Sequence, residues 1–209
     1  MNVEQEIAAL KTRIAELEVQ ARAAADYIAI CNLQRAYGYY VDKTLYDEAA
    51  DLFARDGRLE IAGRGLFVGQ ARVREYLHKL PRLAYGTVFN HMQLQPVITI
   101  APDGRTARGR WRAFIQIGWL GREARWGEGT YENEYLREDG VWKIQSLHFF
   151  TTYYVEYDRG WNQGGVPLAP PLPGAAPDAA ATVKYEAYPG VFVPPYHYPN
   201  PVSGRRFEP

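Results

Sequence analysis

Three polar residues in the first half of the chain have the side-chain types that acid–base chemistry needs. His91 is the strongest candidate for a base, because imidazole is the side chain that ordinarily titrates near neutral pH. Asp42 can accept a hydrogen bond from one ring nitrogen and fix the tautomer, and Tyr37 can donate to a developing oxyanion or to a leaving hydroxyl. Such a set can take a proton from one atom and give one to another, which an elimination requires.

Each of these residues also has an ordinary structural interpretation. His91 could be a hydrogen-bonded histidine at a strand edge, Asp42 a helix cap and Tyr37 a core ring. On a straight helix, side chains five residues apart point about 140° away from each other. Tyr37 and Asp42 therefore share a site only if the helix ends or bends near Asp42, and the β-branched Thr44 favours a break there.

The remaining histidines and the single cysteine are weaker candidates. His148 alternates with apolar residues in the last predicted strand, a register that could direct it into a cavity as a second acid. His78 is expected on a solvated helix face, and His197 is expected to pack or to cap a pocket from a segment rich in Pro and Tyr. Cys31 is predicted to be a small buried apolar residue, since it has no partner for a disulfide.

Composition limits the classes of function. The 209 residues are 47% hydrophobic and 14% aromatic, including 16 tyrosines, which suits one domain with a ligand pocket. The chain has 24 basic residues (Lys and Arg) and 24 acidic residues (Asp and Glu). Because the charges balance, we expect neither nucleic acid nor a membrane surface as a partner. Phosphate-loop, HExxH and GxSxG motifs are missing from the sequence, and neither a cofactor nor a metal is expected. Cytoplasmic location is the default prediction, because the first residues lack a signal-peptide pattern.

The chain changes its hydrophobic period near the middle. Helices are predicted over residues 3–25, 26–54 with a break after Thr44, and 70–80, with a short strand at 58–62 and a turn at Asp56-Gly57. Long alternating strands are predicted over residues 91–100, 106–120, 124–137 and 141–154, joined by turns that contain Gly. Helices followed by an antiparallel meander predict an α+β fold in which a strongly curved sheet and the helices enclose a cavity.

Aromatic and charged residues on the predicted strands are candidates for ligand contacts. Trp111 and Tyr131 share an apolar strand face that forms core or pocket wall, and Tyr40 lies on the apolar stripe of the preceding helix. Arg112 belongs to the other face, where Arg opposite Glu predicts a cross-strand ladder at solvent or at a subunit contact. Alternatively Arg112 enters the cavity, together with His148, and holds a phenolate or carboxylate.

The two ends of the chain are predicted to be additions to a central domain at residues 26–157. In the helix at residues 1–25, apolar residues fall at spacings of three and four, namely Ile7, Leu10, Ile14 and Leu17. This narrow seam is predicted to pack on the domain or on a partner subunit. Residues 158–209 are predicted to be a Gly/Pro-rich loop followed by an extended arm of alternating Tyr and Pro. Such ends favour a homo-oligomer.

Several motifs carry a resemblance to a known family. They are AYGYYVD at 36–42, YDEAADLFARDG at 46–57, Val68-Gly69 before a helix, His91 opening a strand, and REDGVWKI at 137–144. With them, residues 26–154 resemble the SnoaL-like branch of the nuclear-transport-factor-2-like (NTF2-like) superfamily. The resemblance implies an NTF2-like cone. It also implies a pocket that holds Tyr37, Asp42 and His91, since dehydratases of the family place a Tyr, an Asp five residues later and a His together.

The resemblance implies a function as well. The aromatic-rich C-terminal arm is similar to that of sphingomonad lyases that release formaldehyde from lignin-derived diaryl diols. We therefore expect a cofactor-independent lyase acting on a hydrophobic, hydroxylated aromatic small molecule, with a stilbene and formaldehyde as products. A dehydratase, isomerase or cyclase of a polycyclic or polyketide-type substrate, or a binding protein without catalysis, remain alternatives. Dehydratase relatives favour a homotrimer over a dimer.

Overall fold

The computed structural model describes residues 2–207 and contains three helices and six strands in one arrangement. In chain order these are α1 (Val3–Asp42), α2 (Tyr46–Asp51), β1 (Phe53–Ile61), β2 (Gly65–Val68), α3 (Gln70–Leu77), β3 (Thr87–Ile100), β4 (Thr106–Trp119), β5 (Glu123–Glu138) and β6 (Val141–Glu156). A short 3-10 turn at Trp161–Gln163 follows, and the rest of the described chain is extended or irregular.

The six strands form one sheet in the order β2-β1-β6-β5-β4-β3. Neighbouring strands are antiparallel except for the parallel pair of β1 and β6. Register shifts interrupt three of these ladders, and such bulges bend the strands that carry them. The sheet curves around the helices, so the predicted α+β class and the NTF2-like cone are confirmed.

Residues of the concave face form the core together with the helices. Side chains of four neighbouring strands stack across this face in one row, namely Trp111, Tyr131, Phe149 and Ile61. Trp111 is fully buried, and it donates from Nε1 to the hydroxyl of Tyr135 at 2.9 Å. That hydroxyl in turn donates to Oε1 of Gln34 on α1 at 3.0 Å, which links the sheet directly to the helix.

α1 is a single helix of 40 residues, and only its second half belongs to the domain. It begins with a capping box between Asn2 and Gln5, and every residue from 2 to 25 is exposed. The first buried residue is Asp26, which accepts a hydrogen bond from Trp142 Nε1 at 3.0 Å and pairs with Arg137. About 35 Å of helix therefore extends from the cone. Among residues 2–207, no helix is both long and apolar enough to cross a membrane.

Four predicted features differ from the structure in their bounds. The second helical run covers only Tyr46–Asp51, and the predicted turn at Asp56-Gly57 lies inside β1. Tertiary contacts explain both differences. Phe53 and Ala54 are fully buried beside β6, and the residues of the predicted turn lie in a register shift of the strand between Phe53 and Arg58. The third helix ends at Leu77. β3 begins at Thr87, so His91 is an interior residue of the strand and does not open it.

The C-terminal segment lies on the convex face of the sheet. The Tyr185 hydroxyl accepts from the amide of Thr151 at 2.7 Å, and Tyr188 donates its amide to the carbonyl of Thr152 at 2.8 Å. Further along, Arg110 donates to the carbonyl of Pro194 at 2.6 Å. Hydrogen bonds to polar groups of the sheet therefore fix the arm on this face.

A close approach between α1 and β3 positions the concave face. Gly38 is buried in α1, and a Cβ at this position would lie 2.9 Å from the carbonyl oxygen of His91 and 2.8 Å from Cγ of Gln93. A side chain there is excluded by contact with backbone. Glycine has a low helix propensity, but its lack of a side chain lets β3 pack directly against the helix backbone.

We expect Gly38→Ala to lower the free energy of unfolding by about 1–3 kcal/mol, because the added methyl group must push α1 away from β3. In a solvent-exposed helix the same substitution would raise the free energy of unfolding by about 1 kcal/mol. The sign of the measured change therefore distinguishes close packing from an exposed position. Urea denaturation measures it, with Tyr39→Ala as the control on the exposed side of the same turn. An unchanged or increased stability of Gly38→Ala would contradict the proposed close packing.

Candidate active site

The structure brings His91 and Asp42 into direct contact. Nδ1 of His91 lies 2.8 Å from Oδ1 of Asp42, and the exposed fractions of the two side chains are 19% and 11%. His91 faces the concave side of β3 together with its cross-strand partner Ile115, which is buried. Asp42 is the last residue of α1, so the helix end delivers its carboxylate to the strand. Because a carboxylate only accepts hydrogen bonds, this contact favours a proton on Nδ1, which in the neutral ring leaves the lone pair of Nε2 free.

Asp42 does not cap either neighbouring helix. The C-terminal cap of α1 is Lys43, and the N-cap of α2 is Leu45, which makes no side-chain capping bond. Thr44 between them has a positive φ of 55° and ends the helix, as its position after Asp42 led us to expect. The structural interpretation of Asp42 as a helix cap is therefore wrong.

Two buried tyrosines share the interior with this pair. Tyr37 packs edge-on against Phe53 with ring centroids 6.0 Å apart, and Tyr131 belongs to the central row of the concave face. Burial raises the pKa of Tyr37 well above its usual value, and the nearby Tyr131, Tyr76 and Asp42 raise it further. Burial likewise raises the pKa of Tyr131. Both phenols therefore keep their protons at neutral pH and can donate hydrogen bonds.

A chain of buried and partly buried amides holds β3 in place beside α1. Gln93 donates from Nε2 to the carbonyl oxygen of His91 at 3.0 Å, and it accepts at Oε1 from Gln34 at 2.8 Å. Gln34 is fully buried in α1, and its Oε1 accepts from Asn133 Nδ2 at 2.8 Å. Because each amide is satisfied by the next, the network fixes the backbone of His91 relative to the helix.

Gln34, Gln93 and Asn133 were not among the residues that the sequence singled out. Gln34 interrupts the apolar stripe of α1, and Asn133 alternates with Tyr131 and Tyr135 on a core face of β5. The sequence feature that could have identified them is a polar residue at a position that hydrophobic periodicity assigns to the core.

The predicted substrate-binding residues divide between the two faces of the sheet. Trp111 and Tyr131 are buried on the concave face, and Tyr40 packs against the same core while partly exposed. Arg112 lies on the convex face, where it pairs with Glu128 at 2.9 Å and is half exposed. The cross-strand ladder predicted for Arg112 is therefore present, and its alternative as a cavity residue is wrong.

His148 also lies on the convex face and not inside the cone, and it lines a cavity of about 430 Å³ beneath the C-terminal arm. Its Nε2 is 3.4 Å from Oε1 of Glu60, and its ring stacks on Phe150 with centroids 3.9 Å apart. Burial lowers the pKa of His148, while Glu60 and Glu132 act in the opposite direction. Strand register explains this placement. His148 is the cross-strand partner of Glu132 and precedes Phe149 in β6, so its side chain points to the face opposite that of the Tyr131–Phe149 pair.

Three cavities lie away from the contact between His91 and Asp42. One of about 880 Å³ opens at the end of the sheet where β3 and β4 meet β5 and β6, with Trp119, Trp126 and Tyr157 in its lining. One of about 640 Å³ lies beside α3, and one of about 430 Å³ lies on the convex face beneath the C-terminal arm. His91, Asp42 and Tyr37 line none of these three cavities. Of these three residues, His91 is the most exposed.

Comparison with protein families identifies the class to which the chain belongs. Residues 22–148 match the SnoaL-like domain, so the chain is a member of the SnoaL-like family. This confirms the resemblance inferred from the motifs. Comparison with curated protein sequences gave no match.

Solved structures with the same fold are distant in sequence. A protein from Novosphingobium aromaticivorans described as a scytalone dehydratase has 20% identity and a TM-score of 0.61, over 73% of this chain and 96% of its own. A hexachlorocyclohexane dehydrochlorinase from Novosphingobium barchaimii has 20% identity and a TM-score of 0.58, over 66% and 93%. A protein from Novosphingobium aromaticivorans described as an aromatic ring hydroxylase has 23% identity and a TM-score of 0.55, over 64% and 94%. These similarities establish the fold.

We expect the neutral ring of His91 to be the Nδ1–H tautomer, because Asp42 accepts from Nδ1. Long-range ¹H–¹⁵N correlation of the imidazole nitrogens at alkaline pH measures this directly. In Asp42→Ala the preference for Nδ1–H should be lost, while the signals of His78 stay unchanged. A wild-type spectrum showing His91 protonated at Nε2 would rule out the arrangement described above.

Proposed function

We propose that this SnoaL-like chain is a cofactor-independent lyase whose acid–base group consists of His91, Asp42 and Tyr37. The observation that carries the proposal is the 2.8 Å hydrogen bond between His91 Nδ1 and Asp42 in a largely buried site. It leaves Nε2 free to accept a proton, and it keeps the ring from rotating. A histidine that served only packing would not need a buried carboxylate to orient it.

Tyr37 supplies the complementary function in this proposal. Its pKa is raised by burial, so the phenol stays protonated and acts as a hydrogen-bond donor. A donor of this kind stabilises a departing hydroxyl, while His91 removes a proton elsewhere on the substrate. Asp42 contacts His91 and positions it, so its role is indirect.

The reaction class is supported by the names of the structural relatives. A dehydratase and a dehydrochlorinase both remove a small molecule from adjacent atoms of their substrates, and both share this fold with the present chain. Such eliminations need a base and a donor and no electron transfer. The pair of groups on the concave face matches that need, and Tyr131 adds an aromatic wall.

We propose as substrate a diarylpropane diol with a free phenol, converted to a stilbene. The phenol gives up its proton and the benzylic hydroxyl leaves as water, which gives a quinone methide, with Tyr37 hydrogen-bonded to the departing oxygen. His91 then takes the proton of the terminal hydroxyl, and the carbon–carbon bond to that carbon breaks as formaldehyde forms. The electron pair of the broken bond forms the stilbene double bond, the ring becomes a phenolate, and the phenolate takes the proton back from His91. The products are one stilbene, one formaldehyde and one water, which balance the diol. Aromatic side chains around the group suit such a substrate.

A dehydratase is the second candidate, and the relative described as a scytalone dehydratase favours it. The same three residues would remove water and leave the carbon skeleton intact. The two reactions differ in whether a one-carbon fragment leaves.

Incubation of the purified, metal-stripped protein with a racemic diarylpropane diol tests the lyase. We expect stilbene absorbance and formaldehyde to appear in equal amounts without added cofactor. Loss of water alone would identify the dehydratase, and no conversion of the diol would reject the proposed substrate. Mass balance on the consumed diol distinguishes these results from isomerisation, which would lose no fragment.

Removal of the proposed base should abolish turnover while the fold persists. For His91→Ala we expect kcat to fall by about 10²-fold or more, which is the usual contribution of a general base. His78→Ala is the matched control, because this partly exposed histidine caps the C-terminal end of α3 beside Asp47, away from the site. Circular dichroism and thermal unfolding would verify that both variants fold. A His91→Ala protein within a few-fold of wild type would exclude His91 as the base.

A further inference from the structure

The N-terminal half of α1 carries an apolar stripe that the domain does not cover. Five large apolar side chains follow one another at spacings of four and three residues with exposed fractions of 46% to 70%, namely Val3, Ile7, Leu10, Ile14 and Leu17. Every residue from 2 to 25 is exposed, so no part of the cone folds back over this stripe. An apolar stripe held in water on a projecting helix requires a partner to bury it.

The spacing of the stripe is that of a coiled coil. Ile7 and Ile14 occupy position a of a seven-residue repeat, and Leu10 and Leu17 occupy position d. Ala21 and Ala24 continue the a and d positions towards the domain, and small side chains there let two helices approach closely. β-branched residues at a combined with Leu at d favour two parallel strands.

Charged residues beside the stripe specify the same arrangement. In a parallel, in-register pair, each g position lies against the e position of the next repeat in the partner helix. Glu6 at g then meets Lys11 at e, and Arg13 at g meets Glu18 at e. Both contacts join opposite charges, and each forms twice in a symmetric dimer.

An antiparallel pairing of the same stripe brings like charges together. When the two seams are aligned so that each a position faces d, Lys11 lies opposite its own copy. Arg13 likewise lies opposite its own copy, and Glu4 meets Glu18. Like charges at these positions destabilise the pair by amounts similar to what opposite charges contribute. Among arrangements that pair the whole seam from Ile7 to Leu17, the charge pattern therefore favours the parallel orientation.

We propose that residues 3–24 of α1 form a parallel, in-register, two-stranded coiled coil with the same segment of a second copy of this chain. The predicted trimer rested on the resemblance to dehydratases, whereas the residues of the seam favour two strands. The parallel orientation places both cones at the same end of the coil, because α1 continues without interruption into each domain. The proposal is independent of the reaction that the cones catalyse.

Light scattering of the full-length protein during gel filtration tests the association. We expect a dimer for the wild type and a monomer for Leu10→Glu, which places a charge at a d position. Thr12→Glu is the matched control, because Thr12 is exposed at the outward f position of the same turn and should stay dimeric. A monomeric wild type, a trimer, or a Leu10→Glu protein that keeps its assembly would overturn the proposal. Near-ultraviolet circular dichroism would show that the cone remains folded.

Two further pairs of variants test orientation. Leu10→Cys should form an interchain disulfide on mild oxidation, since a parallel register places the two d positions side by side, and Thr12→Cys should not. The native Cys31 is buried and does not interfere. Glu6→Lys should raise the dimer dissociation constant by about tenfold, and adding Lys11→Glu should restore it. Failure of the disulfide, or of the restoration, would contradict the parallel register.

Discussion

The arrangement of the site depends on the contact between the backbone of α1 at Gly38 and the backbone of β3. This contact leaves no room for a side chain, so the carbonyl oxygen of His91 and the side chain of Gln93 lie directly on the helix. Four residues further along, the helix ends at Asp42, whose carboxylate then reaches the imidazole of His91 at 2.8 Å. A wider separation of helix and strand would break this hydrogen bond.

Much of the fold was predictable because its causes are local. The change of hydrophobic period and the Gly-containing turns predicted four long strands and an α+β cone, and both are present. Local reasoning also favoured an end to α1 near Asp42, and the helix ends at that residue. The errors came where distant contacts decide the structure: burial against β6 makes Phe53 part of a strand, although its local sequence continues the helical pattern.

Strand faces could not be assigned from the sequence alone. Alternation groups Trp111 with one set of side chains and Arg112 with the other, but which set faces the helices depends on the packing of the whole sheet. The predicted solvated face is instead covered in part by the C-terminal arm. Arg110 pairs there with Glu132 and lies 3.7 Å from the ring of Tyr196. The arm thus converts an ordinary cross-strand ion pair into a largely buried one.

The position of Asp42 argues that it serves the site rather than the helix. A carboxylate at the C-terminal end of a helix faces the negative end of the helix dipole, and the last turn of α1 contains no basic residue to offset it. The arrangement is unfavourable for the helix taken alone. The carboxylate is instead held by its contact with His91, whose Nδ1 lies 2.8 Å from Oδ1. A carboxylate that is unfavourably placed for its own helix, but in hydrogen-bond contact with an imidazole of the neighbouring strand, fits the positioning role that we propose for Asp42.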